Sequence, residues 1–282
     1  MNTFKKATKK ESKLRLAIFG PSGSGKTYSS LRIATGLGGK IAYIDTERGS
    51  ASKYSDRFNF DVVEMKPATI ENYVNMINAA KAENYNVLII DSLSHGWTEL
   101  LNEVEQIAKA KYRGNTWSAW SEGTPKQRQL VDAILDFPGH VIASMRTKTE
   151  WTTEKDERTG KNRPVRIGLT PEQGKGIEYE FDMLLEINVE HFAVVLKDRT
   201  GKYQDSHIDK PGEDFGKELS DWLQDGVSIE DERKELLKKL KACKEVEEIN
   251  ELYKQNKKII NDDMIAKFSE KKSSINKSKE TN

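Results

Sequence analysis

Residues Gly20, Pro21, Ser22, Gly23, Ser24, Gly25, Lys26 and Thr27 form an unbroken Gly-Pro-Ser-Gly-Ser-Gly-Lys-Thr run. Glycines at these positions let successive backbone N–H groups curl around an anion. A lysine after the last glycine reaches the outer phosphates, and the hydroxyl that follows can ligate Mg²⁺. The run comes after a short apolar stretch, Leu14 to Phe19, and leads into a helix-compatible one, Tyr28 to Leu37. A helix starting there turns its positive dipole end toward the same anion. The chemistry predicted is binding of a nucleoside triphosphate, ATP with Mg²⁺, by residues 20 to 27 together with Tyr28.

Two carboxylates could act on that ligand. Val87-Leu88-Ile89-Ile90-Asp91 is a buried-strand pattern ending in aspartate, so Asp91 should emerge at the carboxyl edge of a sheet and hold Mg²⁺ with Thr27. Ile41-Ala42-Tyr43-Ile44-Asp45-Thr46-Glu47 ends at the same edge if the strands are parallel. Glu47 is then either a water-orienting base for attack on the γ-phosphate or an ordinary surface carboxylate in a strand-to-helix loop. The residues alone leave both open. His95 reads as a local hydrogen-bonding residue, because four scattered histidines without Cys/His spacing argue against a structural metal.

Positioning these groups requires a sheet. Short apolar strands alternate with longer helical segments from Leu14 to about Leu223, which predicts an α/β fold with a mostly parallel central sheet. Strands are expected at 14–19, 41–45, 62–64, 86–91, 140–145, 183–189 and 192–197, and helices at 26–37, 69–83, 93–111, 127–135 and 214–223. The turn-like Asn188 to His191 makes the late strands antiparallel. Residues 146–180 lack apolar periodicity and read as a long loop, functional or disordered. Past Gly226 a Lys/Glu-rich stretch carries apolar residues at helical spacing. The expected organisation is a basic flexible arm over 1–13, a core over 14–224, a helical C-terminal appendage over 227–268 and a disordered tail over 269–282.

At 282 residues the chain can bury a sizeable core. Its net charge of +1 removes any global electrostatic case for nucleic acid and leaves only local ones. The single cysteine, Cys243, excludes an intrachain disulfide and fits a reducing cytoplasm. No apolar run approaches the roughly 18 to 20 residues that cross a bilayer, and the basic start lacks the apolar segment of a secretion signal. A soluble intracellular protein without a membrane partner is expected.

Two segments supply a local case for a polyanion. Residues 146–166 hold Arg146, Lys148, Lys155, Arg158, Lys161, Arg163 and Arg166 around Trp151, cations to follow a phosphate backbone and an aromatic to stack on a base. Residues 109–128 hold Lys111, Arg113, Trp117, Trp120, Lys126 and Arg128. Each could equally be a solvated segment whose indoles are buried.

The order Gly20 to Thr27, then Ile44-Asp45-Thr46-Glu47, a helical 69–83 segment and Val87 to Ser92 resembles the core of RecA-type ATPases. The compact arrangement is similar to the RecA-like single-strand annealing and recombination ATPases encoded by bacteriophages, of the Sak type. The resemblance implies a RecA-like P-loop NTPase core in which Glu47 is the catalytic glutamate. It implies that Lys197 and Arg199, in Val194-Val195-Leu196-Lys197-Asp198-Arg199, reach the γ-phosphate of a neighbouring subunit, which requires self-association into a ring or filament. Ser144 or Arg146 then occupies the γ-phosphate sensor region without the family's usual glutamine. Residues 146–180 become the second DNA-binding loop and 109–128 the first. The expected function is an ATPase that binds single-stranded DNA and anneals it or exchanges strands in the cytoplasm of a bacterial host, with a single-strand DNA-binding protein as a further partner. A helicase or helicase-loading motor, and a nucleotide switch or small-molecule kinase that uses 146–180 as a lid, are the alternatives.

Overall fold

The computed structural model describes residues 12–155, 162–224, 229–243, 245–257 and 259–280. Among these, the chain divides into two compact units, one spanning residues 13–222 and the other holding the C-terminal residues from 223 onward.

The larger unit starts with β1 (Arg15–Phe19), α1 (Lys26–Leu37), β2 (Ile41–Asp45), β3 (Asp61–Glu64), α2 (Ile70–Ala82) and β4 (Val87–Asp91). It continues through α3 (Leu93–Lys111), α4 (Thr116–Leu135), β5 (His140–Met145), β6 (Thr147–Lys155) and β7 (Asn162–Pro171). The short α5 (Ile177–Glu180), β8 (Met183–Ile187), β9 (Phe192–Asp198), β10 (His207–Asp209) and α6 (Glu213–Gln224) complete it. One sheet runs β10-β9-β8-β1-β5-β4-β2-β3. From β8 to β3 every neighbouring pair is parallel, and β8–β9 and β9–β10 are antiparallel. The near-continuous apolar runs of β1, β2 and β4 are what strands covered on both faces require, and all three are buried throughout. Parallel pairing brings the carboxyl ends of β1, β2, β4 and β5 to one edge, with Asp45 in register with Asp91.

Three expectations are corrected. Among the described residues, 146–180 do not form one long loop: β6 and β7 make a separate two-stranded antiparallel ribbon, and α5 follows it. Residues 109–128 are no loop either. α3 runs to Lys111, and α4 starts at Thr116 behind Asn115, whose side chain accepts from Ser118 N at 3.2 Å. α4 continues through Pro125 because burial overrides the breaker: Ala119, Gly123, Leu130 and Ile134 face the core. A Cβ on Gly123 would lie 2.5 Å from Val104 of α3, so the absent side chain lets the two helices close up.

The C-terminal unit contains α7 (Ile229–Ala242), α8 (Val246–Asn256) and α9 (Asp262–Glu280), packed around Leu236, Leu240, Ile249, Met264, Phe268 and Ile275. α9 overturns the disordered tail expected over 269–282, since it stays helical to Glu280. Met264, Phe268 and Ile275 hold one face of it in this core. Among the described residues, no helix is long and apolar enough to cross a membrane.

Candidate active site

The phosphate loop bridges β1 and α1. Gly23 and Gly25 take φ of 80° and 91°, the left-handed region that costs a side chain strain. The loop is seated on the β8–β9 end of the sheet. A Cβ on Gly20 would lie 2.2 Å from Ile187 O, and His191 Nδ1 lies 3.0 Å from Ser24 O. Lys26 Nζ donates to Gly20 O and Pro21 O, both at 2.9 Å, which holds the ammonium across the mouth of the loop. Burial lowers its pKa, opposed by the charges of Asp91 and Glu47.

Asp91 ends β4 beside the loop and is 2 % exposed. Its carboxylate accepts from Thr27 Oγ1 at 2.6 Å, from Tyr43 OH at 2.6 Å and from Ser144 Oγ. β5 lies between β1 and β4 in the sheet, and this interposition delivers Ser144 to Asp91. The Tyr43 hydroxyl is held neutral by burial and by the adjacent carboxylate, its pKa driven well above the ordinary value.

Glu47 sits two residues beyond β2 in a turn wound around Asp45, whose side chain accepts from Glu47 N at 2.6 Å and Ala51 N at 3.0 Å. Both Glu47 oxygens meet Arg146: Nε donates to Oε1 at 3.0 Å and Nη2 to Oε2 at 2.8 Å. His95 Nε2 lies 3.7 Å from Oε1, and its Nδ1 lies 2.7 Å from Thr46 Oγ1. Burial pushes the Glu47 carboxyl up. The hydrogen bonds and charge of Arg146, followed by the charges of His95 and Lys26, override burial and hold it below the usual range.

These groups border a cleft of about 740 Å³, within the range of ordinary ligand sites. Its walls bring the loop, Tyr28, Glu47, Asp91 and Arg146 together with four residues that sequence reasoning missed: Ser50, Tyr54, Thr147 and Glu172. Tyr28 and Tyr54 pack with ring centroids 5.4 Å apart. Tyr54 sits seven residues past Glu47, a signal open to reading only once Glu47 is placed.

The remaining expected residues lie elsewhere. Lys197 and Arg199 do not line this cleft. Lys197 Nζ donates to Glu178 O and Tyr179 O at 2.9 and 3.0 Å, at the carbonyl end of α5, and Arg199 Nη1 meets Asp182 Oδ1 at 2.9 Å. Arg146, expected either on DNA or in the γ-phosphate sensor region, lines the cleft and pairs with Glu47. Lys148 is exposed on β6. Trp151, Lys155, Arg163 and Arg166 fall on the ribbon strands, with Trp151 opposite Arg166 in register. Arg158 and Lys161 lie outside the described residues. Lys111 pairs with Glu122 at 2.7 Å, and Arg113 is exposed between α3 and α4. Trp97 stacks on Trp120 at 5.5 Å, whereas Trp117 is 87 % exposed.

The residues present fit a nucleotide with Mg²⁺. Ser24 Oγ in the loop and Ser50 Oγ in the cleft wall are buried without a hydrogen-bond partner among the described residues. A Cβ at Gly23 would meet open space, so the loop leaves room for phosphate. Thr27 and Asp91 could hold Mg²⁺ through hard oxygen atoms, a set of one hydroxyl and one carboxylate that relies on phosphate and water for the rest of its shell. Among the described residues, no cluster of three or more His, Cys, Asp or Glu could hold a metal ion on its own.

A parallel sheet with a glycine-lysine-threonine loop after its first strand, and an aspartate at the neighbouring edge, defines a P-loop NTPase. A family model described as an AAA domain matches residues 12–212, and the chain belongs to that P-loop ATPase family. A search of curated proteins finds no match.

Proposed function

We propose that the protein is an ATPase that binds single-stranded DNA and uses nucleotide turnover to anneal or exchange strands. Lys26 and the loop amides hold the phosphates, Thr27 and Asp91 hold Mg²⁺, and Glu47 orients the attacking water. The bound ion would supply neutralisation of phosphate charge. Lys197 and Arg199 serve the cleft of an adjacent copy.

One observation carries this reading. Both roots of the cation-bearing ribbon, Arg146 with Thr147 on one side and Glu172 on the other, line the nucleotide cleft. They are tied together by Glu172 N donating to Arg146 O at 2.8 Å. A polyanion on the ribbon and a nucleotide in the cleft would thus act on the same few residues, which gives coupling a physical route.

The test measures binding of a labelled single-stranded oligonucleotide with and without a non-hydrolysable ATP analogue, alongside particle mass. Nucleotide-dependent binding with assembly supports the proposal. Annealing of complementary strands without opening of a tailed duplex separates it from a helicase motor. Phosphate transfer to a metabolite, with no response to DNA, favours the kinase alternative. Equimolar mixing of Lys26→Ala and Arg199→Ala proteins should restore part of the lost hydrolysis through mixed interfaces, and no recovery would count against the trans role.

A further inference from the structure

The Glu47–Arg146 pair stands between two cavities. The nucleotide cleft lies on one side. On the other, a second cavity of about 670 Å³ is bordered by residues that include Arg48, Glu64, Lys66, His95 and Glu99. Glu47 and Arg146 are the residues that line both. A carboxylate forked by a guanidinium on both oxygens is fixed in plane and loses basicity, which is poor preparation for orienting a nucleophilic water.

The backbone of Arg146 is anchored independently of this pair. Arg146 N donates to Ser94 Oγ at 2.9 Å, Arg146 O accepts from Glu172 N, and the preceding Met145 is fully buried. Two residues earlier, Ser144 touches Asp91. One three-residue segment at the root of the ribbon therefore contacts both acidic residues of the cleft. The side chains of Arg146 and Glu47 are 48 % and 27 % exposed, so the pair is weak enough to be exchanged. A γ-phosphate at the end of the loop would compete for the same planar fork, which matches phosphate as well as it matches carboxylate.

Resting on the reading that the cleft takes ATP and that Glu47 acts on water, we propose that Arg146 is a positioning residue that locks Glu47 and releases it when phosphate draws the guanidinium away. The lock lies at the root of the ribbon, so a polyanion held there and a phosphate in the cleft compete for the same guanidinium. A polyanion on the ribbon that pulls on Arg146 would free Glu47 in the same way.

The experiment compares wild type with Arg146→Ala and Arg146→Lys, with thermal melting to confirm folding. Three quantities are read: affinity for a non-hydrolysable triphosphate against a diphosphate, titration of the Glu47 carboxyl by ¹³C NMR in protein without nucleotide, and hydrolysis without DNA. In Arg146→Ala the DNA-free rate should rise and the triphosphate preference should fall, each by about two- to fivefold, the factor an exposed ion pair commands. The Glu47 carboxyl should titrate at higher pH, and Arg146→Lys should fall between. Nucleotide binding with an unmoved Glu47 titration and a rate that does not rise overturns the lock alone. Wild-type protein that binds neither nucleotide overturns the lock together with the reading beneath it.

Discussion

Asp91 ends β4 and Glu47 lies two residues past the end of the adjacent β2, at one sheet edge, yet the chain treats the two carboxylates in opposite ways. Asp91 is buried and ringed by three neutral hydroxyls, from Thr27, Tyr43 and Ser144. Glu47 is partly exposed and held chiefly by the half-exposed guanidinium of Arg146. Hydroxyl donors fix a carboxylate without cancelling its charge, which suits a permanent cation site. An exposed ion pair cancels charge and exchanges readily, which suits a group that must change partners. On the proposed reading, the kind of partner a carboxylate has, as well as its place on the sheet, separates a scaffold ligand from a reacting group.

Isosteric amides offer the sharpest way to break this contrast. Asp91→Asn should destabilise the fold by about 2 to 3 kcal/mol, because one of the two oxygens that accept from buried hydroxyls becomes an NH₂ donor and the charge that strengthens these bonds is lost, and should abolish Mg²⁺-dependent turnover. Glu47→Gln should cost under about 1 kcal/mol. Chemical denaturation of both variants checks the difference, and equal costs would erase the distinction.

Acid offers a second way, with its own control at the opposite edge of the sheet. His140 accepts from Leu14 N at 3.0 Å, and burial, with the charges of Lys13 and Arg15, lowers its pKa to about 4. Between pH 6.5 and 4 the unfolded chain takes up a proton that the folded chain refuses, so stability falls with falling pH across that window, by about 3 kcal/mol at most. His140→Gln should flatten this limb in a melting series. The Glu47–Arg146 contribution is present above the ordinary carboxylate pKa and is lost only below it, so the two effects separate by pH. Retention of the full acid limb in the glutamine variant would exclude His140 as its source.

The contrast extends to chemistry. Glu47→Gln should keep nucleotide affinity while turnover drops about a hundredfold or more, the range of a lost general base. Unchanged hydrolysis would remove Glu47 from the mechanism. A smaller loss of stability than in Asp91→Asn is expected for Ser144→Ala, which deletes one of the three hydroxyls at Asp91 and should cost about 1 kcal/mol, measured by denaturation against wild type.

Contiguous motifs were legible in the sequence. The phosphate loop, Asp91 and the late antiparallel strands needed only local pattern and the parallel edge. The ribbon was hidden because its charged residues masked a strand signal carried by Thr147, Thr149, Thr152, Thr153 and Val165. The helix expected over 127–135 is the second half of α4; its first half was hidden because Gly123 and Pro125 read locally as breakers, while Gly123 closes against Val104 of α3. The length of α9 was written in Met264, Phe268 and Ile275, but dilute among lysines. Tyr54, Ser50, Thr147 and Glu172 could not be assembled from spacing, since the fold alone brings their segments to one cleft.

The central claim is that cleft and ribbon work as one device, and the rate of ATP hydrolysis with and without single-stranded DNA tests it most directly. The account predicts a marked rise in rate when DNA is added, with less stimulation in Arg146→Ala. A wild-type rate indifferent to DNA at saturating nucleotide would contradict it.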